Sequence, residues 1–283
     1  MAACLRHDGI LAERSHPRAS PGRTFPPGPA HFICEVARGS RLAVSCAMGK
    51  KYKGKTCVYC AEEGVSKTRD HVLAREFVLE RHRANLPVVP ACTACNNLKS
   101  RLEASLTTLL PFGGRHPDAV ENLSTMVPKR LQANATLRSK IGHGLDNQAW
   151  VPTPGGILHR TTTIPIDASQ MEAWISYLTL GLIFHHWRSI VSGLTNVTPM
   201  LLTAEGERLY APVFGLKAAR RVPVTTIGGG ALTYEGVMDT TNSLASAWRF
   251  AIYGGIQLGG DDPRERASTY YVTVIPRADV RAA

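Results

Sequence analysis

Two C-x2-C pairs, Cys57/Cys60 and Cys92/Cys95, are separated by 31 residues, and no other feature narrows the fold of this chain as far. Each pair offers two thiolates from one tight turn. Two such turns close a tetrahedral site around a Zn²⁺ ion and leave no position for water. A closed all-sulfur site is structural, so the expected zinc staples a small unit with little core of its own. The other cysteines, Cys4, Cys34 and Cys46, are scattered upstream. Thiolate zinc sites suit a reducing compartment, and the expected location is cytoplasmic. No apolar run approaches the ~20 residues that span a bilayer. No compact hydrophobic stretch follows a basic start, which argues against a secretory signal.

Charge collects where the cysteines do. The chain carries 33 Lys+Arg against 22 Asp+Glu. Residues 48–103 hold 11 Lys+Arg and 6 acids, whereas residues 104–283 hold 16 and 13. A local cationic surplus suits a polyanionic partner, because neutralised phosphates release condensed counterions. The expected partner is DNA, with RNA as the alternative.

Residues 1–47 are set apart by a Pro-, Arg-, Gly- and Ser-rich stretch from Ser15 to Ala30 without helical or strand period. Such composition does not offset its ordering entropy, so this part is read as disordered or as a non-native extension, with Met48 as the preferred start. Its Arg-rich, acid-poor character would also fit a transit peptide. Residues 48–112 form the first expected unit: a knuckle at Cys57–Cys60, a short strand leading to His71, a second knuckle, and a helix over Asn96–Leu110. Leu98, Leu102, Leu106 and Leu109 make its apolar stripe, and Pro111 with Gly113-Gly114 stops it. Residues 113–165 read as a poorly patterned connector. Residues 166–283 form an accessory part with a helix over 169–192, on which Trp174, Ile175, Leu178, Leu182 and Ile183 share a side. Strands are expected at Pro223–Ile227, Ala231–Met238, Trp248–Leu258 and Tyr270–Ile275.

Polar residues that a staple does not need lie between and after the knuckles: Asp70-His71, Asn85, Asn96-Asn97 and Lys99. The ordered elements Cys-Val-Tyr-Cys, Arg-Asp-His-Val, Asn-Leu and Val-Pro-Ala-Cys-Thr-Ala-Cys-Asn-Asn resemble the zinc-containing HNH endonucleases, over about residues 55–103. The resemblance implies a ββα-metal fold in which His71 ends the first strand and acts as general base. It implies Asp70 and Asn96 as oxygen ligands of a Mg²⁺ or Mn²⁺ ion, and Asn85 as a brace for the loop carrying the histidine. It also implies DNA hydrolysis in a mobile-element, phage or defence setting. From the residues alone, Asn96 suits a helix cap, and Lys99 and Arg101 one turn on would contact phosphates if they are not simply a solvated face.

The expected fold class is therefore α+β: a small zinc-stapled ββα unit followed by a larger α+β part of unassigned role, through which self-association is open. Two rivals use the same cysteines. One is a non-catalytic zinc module that binds nucleic acid, and the other a zinc-stapled protein-interaction domain. Elsewhere His82 reads as exposed and His185-His186 as structural. Gly228–Gly230 read as a turn, since no Lys-Ser/Thr follows them. Arg220-Arg221 read as surface, and Trp248, Phe250 and Tyr253 as core.

Overall fold

Strand β1 (Thr68–His71) pairs antiparallel with β2 (Val88–Ala91), placing Asp70 opposite Val89 and His71 opposite Val88. The structure, a computed structural model, describes residues 51–145, 148–152, 157–162, 164, 166–192, 195–217, 219–241, 245–256 and 267–276. The readings made for residues 1–47, for a start at Met48 and for Leu258 lie outside these. Between the two strands the chain makes single 3-10 turns at Arg75–Phe77 and Glu80–His82. Beyond β2 it passes directly into helix α1 (Thr93–Leu109).

Helix α1 begins earlier than the sequence suggests. Its N-cap is Cys92, whose sulfur accepts from the Cys95 amide, so Asn96 lies inside the helix and is not its cap. The knuckle thus does the work that an asparagine cap would do. The apolar stripe also starts later than expected: Leu106 and Leu109 are buried, Leu102 is partly buried, and Leu98 is exposed.

Residues 113–165 are more ordered than a connector. They form α2 (Pro117–Thr125), α3 (Val127–Ala133), α4 (Ala135–Leu145) and an antiparallel hairpin of β3 (Gln148–Pro152) and β4 (Leu158–Thr162). Pro117 and Pro128 sit in the first two positions of their helices, where the missing amide costs nothing and the fixed φ helps. Prolines that resemble breaks in the sequence are helix starts here.

Helix α5 (Ala168–Trp187) is capped by Asp167, whose carboxylate accepts from the Ser169 and Gln170 amides. It packs on an antiparallel sheet of order β5-β9-β8-β7-β6: β5 (Thr195–Leu202), β6 (Ala219–Ile227), β7 (Leu232–Asp239), β8 (Ser246–Ile252) and β9 (Thr269–Pro276). A short helix α6 (Ala204–Tyr210) follows β5. Strand β5 was not expected; it is an edge strand with Pro199 inside it, a place where proline is tolerated. Gly228–Gly230 form the turn between β6 and β7 with positive φ throughout.

The buried apolar residues of the zinc unit and of the C-terminal part belong to one cluster. It runs from Val58, Val72 and Leu106 through Trp174, Ile175 and Leu178 to Tyr234, Phe250 and Val272. Helix α5 joins the two, touching β2 and α1 as well as β5 and β9. Mixed helix and sheet agree with an α+β class. Among the described residues no helix is long and apolar enough to cross a membrane.

Candidate functional site

Two turns bring the four cysteines together. The first runs through Cys57–Cys60, where the Ala61 amide donates to the Cys57 carbonyl and Ala61 takes a left-handed φ of 59°. The second is the start of α1. The Val58 amide bonded to the Pro90 carbonyl, and the Cys92 amide bonded to the Cys57 sulfur, dock one turn on the other. The four sulfurs of Cys57, Cys60, Cys92 and Cys95 lie within 4.8 Å of one another, and Cys60 and Cys92 are 4.0 Å apart. Tetrahedral Zn–S bonds of ~2.3 Å need sulfurs roughly 3.8 Å apart, so the donor set fits a closed metal site. Among the described residues this is the one cluster of three or more Cys, His, Asp or Glu groups close enough to hold an ion.

Beside it lies a buried ionic group. The Asp70 carboxylate accepts from Tyr59 (2.5 Å) and pairs with the Lys99 ammonium (3.1 Å), both through Oδ2. Lys99 also donates to the His71 carbonyl (2.7 Å) and pairs with Glu103 (2.7 Å), which accepts from the Trp174 indole (3.2 Å). Lys99 is 0% exposed. Its expected role at a phosphate is therefore corrected: three oxygens inside the fold hold the ammonium, and it faces no solvent. Arg101 on the same helix is exposed, as a phosphate contact requires.

One ammonium against two carboxylates leaves a surplus negative charge in a dry environment. Burial pushes the Glu103 carboxyl up to about 7, against the pull of Lys99. Burial, and then the Asp70 carboxylate, push the Tyr59 hydroxyl well above its usual range, which keeps it a donor. His71 is half-buried at the end of β1. Burial lowers its pKa against the opposing pull of Asp70, with Arg75, Arg69 and Lys99 adding to the fall. The imidazole is therefore mostly neutral at pH 7, the form in which it can accept a proton.

The structure thus brings Asp70 and Lys99 into contact and draws in His71 through its backbone carbonyl. Asn96 is half-buried on α1, and Asn85 is exposed in the loop before β2 with a left-handed φ of 63°, a conformation asparagine tolerates. Among the described residues no hydrogen bond links either amide to the Asp70 group. A Mg²⁺ or Mn²⁺ ion asks for a free carboxylate oxygen, and both contacts of Asp70 fall on Oδ2, so a single bond through Oδ1 is compatible with the network. Sequence reasoning missed Tyr59, Glu103 and Trp174. The four-residue step from Lys99 to Glu103 was a visible helical pairing signal; the other two contacts cross the fold.

His186 and His82 are held by neighbours elsewhere in the fold. His186 bonds to the Tyr234 hydroxyl (3.0 Å), and burial followed by His185 pushes its pKa down to about 4. His82 is partly exposed and accepts from Arg81 beside Asp118. Comparison with protein-family models, with curated proteins and with solved structures returned no match.

Proposed function

We propose that this chain is a metal-dependent endonuclease of the HNH type that hydrolyses phosphodiester bonds in DNA. The observation that carries the reading is the order of parts: Asp70-His71 ends one strand of an antiparallel pair whose partner runs through a cysteine knuckle into a helix bearing Asn96. In this reading Zn²⁺ on Cys57, Cys60, Cys92 and Cys95 is structural. The neutral His71 imidazole takes a proton from the attacking water as its oxygen bonds to phosphorus. The bond from phosphorus to the 3′ oxygen breaks and that oxygen takes a proton from solvent water, leaving a 5′ phosphate and a 3′ hydroxyl. A Mg²⁺ or Mn²⁺ ion bound by Asp70 and Asn96 would supply charge stabilisation for the leaving oxygen. Lys99 holds Asp70 and the His71 carbonyl in place, Asn85 braces the loop, and exposed Arg101 contacts a phosphate.

The test is supercoiled plasmid incubated with the zinc-loaded protein, with Mg²⁺, with Mn²⁺ and without added ion, beside His71→Ala. Ion-dependent cleavage, reduced ~10²–10⁴-fold in the variant, is expected. DNA binding without cleavage, indifferent to His71→Ala, would overturn the reading. That outcome fits the second reading, a non-catalytic zinc module for nucleic acid, which draws on the neutralisation of Asp70 by Lys99.

A further inference from the structure

One strand away from His71 lies a cleft of about 460 Å³, of whose lining the catalytic reading uses Asn85 alone. Its first wall is the segment Lys51–Thr56, pinned by the Gly54 amide on the Ser66 carbonyl (2.8 Å), the Ser66 amide on the Lys55 carbonyl (3.1 Å) and the Ser66 hydroxyl on the Tyr52 carbonyl. Its floor is Leu86–Val88 with Pro90, and Val88 is the register partner of His71. Its far wall is the end of α5, where Arg188 sits 5.5 Å from the Phe184 ring. The volume falls within the ~300–1,000 Å³ range of small-molecule sites. It is far too small for a duplex.

We propose that this cleft takes one nucleotide of an unpaired nucleic-acid strand, its base against Tyr52, Pro87 and Phe184 and its phosphate against Lys55 and Arg188. Flat apolar surface accepts the face of any base, and Lys51, Lys55 and Arg188 line the cleft with positive charge for a backbone phosphate. No acidic side chain lines the cleft. The backbone pairing of the first wall holds the site open before anything binds, so little ordering opposes entry. The proposal rests on the nucleic-acid part of the reading above and not on catalysis.

The test measures binding of a labelled 15-nucleotide single strand and of its duplex to the zinc-loaded full chain without Mg²⁺ or Mn²⁺, by fluorescence anisotropy. Tyr52→Ala keeps the carbonyl that Ser66 uses, and Lys55→Glu alters an exposed side chain, so both variants retain the fold, with unchanged circular-dichroism melts as the control. Preference for the single strand is expected, with about tenfold weaker binding in Tyr52→Ala. A shallower salt dependence is expected in Lys55→Glu. Single-strand binding equal to that of the unsubstituted chain in both variants would overturn the proposal. So would dAMP competing as strongly, mole for mole, as the strand, since the cleft would then serve a free nucleotide. Plasmid cleavage is scored separately. Cleavage with cleft-independent binding sinks the cleft alone, and cleft-dependent binding without cleavage sinks the nuclease alone.

Discussion

Lys99 carries its charge into the interior because three oxygens receive it: Asp70 Oδ2, Glu103 Oε1 and the His71 carbonyl. Removing the ammonium leaves two carboxylates buried without a counter-ion, and breaking a buried pair from one side typically costs ~3–5 kcal/mol. Lys99→Ala should lower stability by about that amount in urea denaturation, far more than the exposed neighbour Arg101→Ala. Glu103 gives this group a pH dependence. Its folded pKa is raised to about 7 from an ordinary 4.5, so its contribution to stability is fully present below the ordinary value and is lost as pH rises through about 7. Glu103→Gln should remove that loss, and urea midpoints between pH 5 and 8 should fall less steeply in the variant than in the parent.

At the scale of elements, one contact that sets the zinc unit against the rest is where α5 crosses the chain at Val72, just past the end of β1. A Cβ added at Gly181 would lie 2.8 and 2.9 Å from the Cγ atoms of Val72, a residue fully buried immediately after His71. Alanine is the better helix former by ~1 kcal/mol, yet overpacking a tight core typically costs ~1–3 kcal/mol. The clash should win, because Val72 is branched and enclosed. Gly181→Ala is expected to be destabilising in thermal melts, and neutral or stabilising behaviour would contradict the close approach. The sequence revealed the helix and its apolar side but not this crossing. The periodicity of Trp174, Ile175, Leu178 and Leu182 says which side is buried, and it is silent on the partner. Helices α2 and α3 escaped notice for a different reason, since Pro117 and Pro128 read as loop signals until their places in the first turn are known.

Across the whole molecule, the loop that follows His71 is stitched to distant segments. The Phe77 carbonyl accepts from the Tyr253 hydroxyl (2.5 Å) and the Asn122 amide (3.2 Å), and Phe77 stacks on Trp174. Arg81 pairs with Asp118 (3.1 Å) and Glu121 (2.6 Å) on α2. With one shared apolar cluster, the zinc unit should not unfold alone. Metal release, followed with a chromogenic chelator, and loss of Trp174 burial, followed by fluorescence, are expected to coincide in a single thermal transition. Two separate transitions would show that the zinc unit closes on its own core.

The four-cysteine site was legible in the sequence because thiolate ligation depends on local spacing. Each C-x2-C turn presents its sulfurs whatever the rest of the chain does. The strand ending at His71, the long helix α5 and four strands of the sheet were legible for the same reason, as local patterns of apolar residues. Tertiary structure alone decided what those elements do to one another. It turned Lys99 from a surface cation into an enclosed one, gave the N-cap of α1 to Cys92, and fused two apparent units into one core. The cap is a local contact to the Cys95 amide, but the enclosure of Lys99 by Asp70 and the His71 carbonyl and the shared core follow from contacts between residues far apart in the chain, where burial and charge pairing depend on approach distances that no local pattern encodes.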